Sequence, residues 1–81
     1  MKPPSISRLR GEAVTLWRLG HRDNRLHCFI VEPPSGFWLA IEKDGDLLFS
    51  QTYADLDCAI VRAEGLKLPL LLAGWTELAD H

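Results

Sequence analysis

Eighty-one residues, 47% of them hydrophobic and 25% charged, with three tryptophans, describe one folded domain and exclude both a disordered chain and a two-lobed enzyme. A core this small seldom yields more than about 3–5 kcal/mol without disulfides, metal or a partner subunit, so self-association is expected. The net charge of −2 conceals an asymmetry: residues 1–31 hold six bases against two acids, +4, and residues 32–81 hold three bases against nine acids, −6. Such a split suits an anion-binding end or charge pairing between subunits.

Residues 1–10 read as a flexible basic tail, with Pro3-Pro4, Lys2, Arg8 and Arg10 and only Ile6 and Leu9 apolar; residues 11–81 read as a single α+β domain. The basic start is not followed by an apolar run, so no secretory signal is expected. The longest apolar stretch, Leu68 to Trp75, has eight residues, against the roughly 20 that a bilayer requires. A cytoplasmic protein without membrane contact follows, with Cys28 and Cys58 as free thiols serving as small core hydrophobes.

Glu12–Leu19 and Arg25–Glu32 are rich in residues that suit a pleated surface, and the polar "GHRDN" between them reads as a hairpin loop. His21-Arg22-Asp23 spells the opening of the protein-kinase catalytic loop. An asparagine should then lie five residues beyond the aspartate, where this chain has Cys28, and there is no Gly-rich loop or Asp-Phe-Gly. A turn formed by Asp23 and Asn24, both tolerant of left-handed backbone, is the better reading.

Pro33-Pro34-Ser35-Gly36 breaks the chain, because neither proline can donate to a ladder. Phe37–Lys43 and Asp46–Tyr53 form a second hairpin about Asp44-Gly45, a strong type I′ signal. The period then changes. Leu56, Ala59, Ile60, Ala63, Leu66 and Leu70 recur at intervals of three and four, the stripe of an amphipathic helix capped at Asp55 or at Thr52. The helix is expected to continue past Pro69 to Ala73, with Gly74 left-handed and Trp75 folding back onto Leu70. The alternative ends it at Gly65 and makes "PLLLAGW" a fifth strand or a short second helix.

The fold class predicted is therefore α+β: an antiparallel four-stranded meander with a C-terminal helix packed on one face. A small five-stranded barrel with one helix is the alternative. One sheet face, with Leu26, Cys28, Ile30, Phe37, Leu39, Ile41, Leu47 and Phe49, should meet the helix. The other is also apolar, with Phe29, Val31, Trp38, Ala40 and Leu48 plus Trp17 or Leu16, and a patch of that kind marks an interface. The N-terminal tail or the segment after Gly74 could instead cover it.

Metal binding is not expected: His27 and Cys28 are adjacent in a strand and face opposite ways, and zinc-type ligand pairs are absent. No cofactor is implied. Nucleophilic catalysis lacks a Gly-x-Ser-x-Gly elbow, and Cys28 falls on the face expected to be buried, where a thiol is inert. Asp44, Asp46, Asp55 and Asp57 are explained by a turn and a helix start. Arg18, Arg22 and Arg25, near His21, His27, Trp17 and Phe29, form a basic and aromatic grouping that suits an anion or single-stranded nucleic acid. The leading expectation is a small, non-enzymatic interaction module. It would be a homodimer, or bind a protein partner, through Phe29, Val31, Trp38 and Leu48. The alternative is a nucleic-acid-binding accessory protein that uses the basic hairpin.

Overall fold

The structure, a computed structural model, describes residues 13–32 and 36–78. The expected tail at 1–10 and the break at Pro33-Pro34-Ser35 lie outside the described residues. The elements run β1 (Val14–His21), β2 (Asn24–Val31), β3 (Phe37–Lys43), β4 (Asp46–Tyr53), α1 (Leu56–Leu72) and β5 (Thr76–Glu77). The strands make one antiparallel sheet in the order β4-β3-β2-β1-β5, with α1 packed on one face. The chain is α+β. The sheet is not closed, so the barrel alternative is not realised. The meander gains a fifth strand from Thr76–Glu77, not from "PLLLAGW", because the helix continues through that stretch.

Both hairpins form where the turn residues predict, with one change in how the first is made. Asp44 and Gly45 both have positive φ, at 51° and 91°, as a type I′ turn requires. Asp44 also accepts a hydrogen bond from the Arg25 N–H through its Oδ1 at 3.0 Å, which ties the turn to β2. In the first hairpin the loop is only Arg22-Asp23, and Arg22 takes the left-handed conformation at φ 59°. Asn24 is already the first residue of β2. The tight connection places the positive φ by position in the turn, not by which residue bears it most easily.

A bulge in β1 settles which of Leu16 and Trp17 faces the helix. Thr15 pairs with Phe29 and Trp17 with Cys28, so Leu16 is the extra residue. A bulge of this kind lets neighbouring side chains share one side. Trp17 is buried in the core beneath α1 and Leu16 packs against the same cluster, so neither belongs to the opposite face as expected. The indole N–H of Trp17 donates to the Ala63 carbonyl at 3.0 Å, pinning the helix to the sheet.

The helix ends are as the sequence predicts. The Asp55 carboxylate accepts from the Cys58 N–H at 2.9 Å and caps the first turn. Pro69 lies within the helix. Its missing N–H deprives the Gly65 carbonyl, which is on the exposed side, where solvent can satisfy it. Gly74 has φ 111°. The Trp75 N–H reaches the Leu70 carbonyl at 3.0 Å and the Gly74 N–H the Leu71 carbonyl at 3.2 Å, the paired bonds of a Schellman motif.

Candidate functional site

The two sheet faces differ in what covers them. On the helix side, Trp17, Leu19, Leu26, Cys28, Leu39 and Ile41 form a buried cluster with Ala63. At one end of it an apolar groove of about 430 Å³ opens between sheet and helix, with Val14, Leu16, Phe37, Leu56 and Ile60 in its walls and Glu32 at its rim.

On the opposite face Phe29, Val31 and Ala40 make a second cluster, with Trp38 packed against it. The Phe29 and Trp38 rings meet edge to face at 6.2 Å, and the His27 ring lies 5.0 Å from Phe29. The Thr15 hydroxyl and His27 Nε2 are hydrogen-bonded at 2.8 Å beside them. Phe29 is 3% exposed and Val31 0% within a single chain. Three of the four expected interface residues, Phe29, Val31 and Trp38, are thus brought together, and two of them are already enclosed. Leu48 is not among the side chains packed on this cluster. Ile41 pairs with Phe49 and Glu42 with Leu47, which leaves Leu48 as the extra residue of a bulge in β4, 62% exposed.

The three arginines lie around the first hairpin. The register pairs Arg18 with His27 and Gly20 with Arg25, which puts Arg18 and Arg25 on the same face, while Arg22 sits at the tip. All three are exposed. The aromatic side chains expected beside them are less available: Trp17 is buried on the other face and Phe29 within its own cluster.

The thiols occupy contrasting settings. Cys28 is buried in the core, and desolvation, with the Glu64 charge adding to it, pushes its pKa up to about 12. Cys58 is exposed at the start of α1, not in the core as expected. Its Sγ donates to the Asp55 carboxylate at 3.3 Å, and that bond and charge hold the thiol pKa above its ordinary value. Among the described residues no group of three or more His, Cys, Asp or Glu converges as metal ligands would.

Sequence periodicity overlooked one surface. Ala59 and Ala63 are buried, and Leu66 and Leu70 pack against the core. On the far side of the same helix Val61, Leu68 and Leu72 are 71, 60 and 88% exposed. Cys58 and Gly65 share this side of the helix and are also exposed. The spacing 58, 61, 65, 68, 72 was available in the sequence as a second stripe. It was masked by the inner stripe, which already accounted for a helix.

No helix of the described residues is long and apolar enough to cross a membrane. Neither a family model nor a curated protein nor a solved structure matches the chain.

Proposed function

We propose that the protein is a small, non-enzymatic interaction module that self-associates through apolar surface. The observation that carries this reading is the outer side of α1. A helix apolar on both sides is normally buried on both, yet Val61, Leu68 and Leu72 face solvent here. Trp38 and Leu48, on β3 and β4, offer a smaller second contact, since Phe29 and Val31 are enclosed. A reducing, cytoplasmic setting suits a chain whose Cys28 and Cys58 are both free thiols. Sedimentation from 1 to 500 µM tests the proposal: a mass that rises toward the dimer supports it, and a monomer throughout overturns it. Comparing Leu68→Asp with Trp38→Glu at the same concentrations tells which surface is used.

A second reading, nucleic-acid binding, draws support from the register that places Arg18 and Arg25 on one face with Arg22 at the adjoining tip. Phosphate contacts of this sort weaken steeply with salt. Titration with single-stranded DNA and RNA at low and moderate salt checks it; no affinity at low salt removes it.

A further inference from the structure

We infer that a second copy of this chain packs on the outer side of α1, with the two helices parallel and in register and Cys58 beside the partner's Cys58. The inference rests on the self-association reading above and supplies its geometry. Cys58, Val61, Gly65, Leu68 and Leu72 follow one another at intervals of 3, 4, 3 and 4, the alternating a and d positions of a heptad seam. All five are exposed on the side of the helix opposite the buried Ala59 and Ala63. Over 14 residue steps the seam is about 21 Å long. At its middle, a Cβ built on Gly65 would meet nothing within 4 Å, so a partner helix can come close there.

Charge selects the orientation. In this frame Asp57 and Glu64 occupy g positions, and Arg62 and Pro69 occupy e positions. A parallel pair sets each g residue against the e residue five further along the other helix. Asp57 then faces the partner's Arg62, twice by symmetry. Glu64 would face the partner's Pro69, but its carboxylate is answered within its own chain by Lys67 at 3.4 Å. Antiparallel pairing in the matching frame sets Arg62 against Pro69 and Glu64 against Leu71, with no opposite charges meeting. The Arg62 guanidinium rests over the Phe49 ring of its own chain, 6.0 Å from the centroid, and meeting the partner's Asp57 exchanges that contact for an ion pair. Because the sheet and the Trp17 bond already hold α1 in place, pairing orders little new chain. A seam of two heptads should give a weak dimer, in the micromolar range.

The thiols provide the test, since Cys58 is exposed and Cys28 buried. The full chain is oxidised with diamide at alkaline pH, which raises the thiolate fraction, and the products are mapped by peptide mass. The expected result is a Cys58–Cys58 disulfide whose yield saturates over tens of micromolar protein. Leu68→Asp, at an exposed position, should leave the circular dichroism unchanged and slow its formation at least tenfold. Asp57→Arg should lower the dimer fraction read by sedimentation, a measure untouched by its effect on the neighbouring thiol, and adding Arg62→Asp should restore it. A dimeric mass without the Cys58 link overturns this geometry and leaves self-association standing. Linkage of Leu68→Asp at the parent rate shows collision alone and overturns the geometry as well. A monomer up to 500 µM overturns both.

Discussion

The second face of the sheet and the outer side of the helix are both apolar in sequence, yet one is closed and the other open. Phe29, Val31 and Ala40 are buried in one chain with Trp38 against them, whereas Val61, Leu68 and Leu72 stand in solvent. Side-chain alternation therefore says which residues share a face, and does not say whether the face is covered. The first set contributes to folding and the second is available for contact.

That contrast is most open to attack through Phe29. Phe29→Ala should cost about 3–5 kcal/mol, as for an aromatic side chain removed from a core. Leu68→Ala should stay within about 0.5 kcal/mol, as exposed positions do. Urea unfolding of the two variants, at protein concentrations low enough to avoid association, measures both; equal losses would erase the distinction. A smaller effect is expected at Trp17→Phe, which keeps most of the packing and removes the bond to the Ala63 carbonyl. The Ala63 carbonyl keeps its helical partner, the Lys67 N–H, so losing the indole bond should cost only about 1 kcal/mol. It should also loosen α1, which hydrogen exchange of the helix amides would reveal.

Asp55→Ala should cost about 1 kcal/mol through loss of the N-cap, and it carries a pH signature. The backbone bond from Cys58 first, then the Cys58 thiol, lowers the Asp55 pKa below its ordinary 3.8. The folded state thus favours the carboxylate. This contribution is complete above 3.8 and is lost as pH falls through the lower folded value. Acid titration of stability should be steeper below pH 4 in the parent than in Asp55→Ala; identical slopes would refute the cap's role. At the other extreme, the Cys28 thiol raised to about 12 favours its protonated form in the fold. Stability should decline as pH rises from the ordinary 9.0 toward that value, and Cys28→Ala should flatten the decline.

Much of this architecture was legible from local chemistry. Asp44-Gly45 could form little but a tight turn, and the helix past Pro69 followed from Gly65 one turn earlier and Gly74 beyond. What could not be read depended on distant partners. The β1 bulge that turns Leu16 and Trp17 to the same side arises from pairing with β2. Thr76–Glu77 is too short to announce itself and is a strand only because β1 lies beside it. Arg22 takes the left-handed position because a two-residue loop leaves no other place for it, although Asp23 and Asn24 suit that backbone better. The outer seam was present in the letters 58, 61, 65, 68 and 72, but a pattern already explained by one face conceals a second.

The Trp17 bond to Ala63 spans 46 residues, and the Thr76 hydroxyl that donates to the Gly20 carbonyl at 3.2 Å spans 56. On the ribosome, where the chain emerges from its N-terminus, β1 is made long before either partner exists. Its indole lacks its acceptor and its outer edge has no strand beside it until the helix and Thr76 have followed. Contacts of such sequence separation slow folding, and exposed edges meanwhile favour aggregation. For this protein the hazardous interval is thus the time between making residue 17 and releasing residue 77, and it lengthens whenever translation pauses in α1.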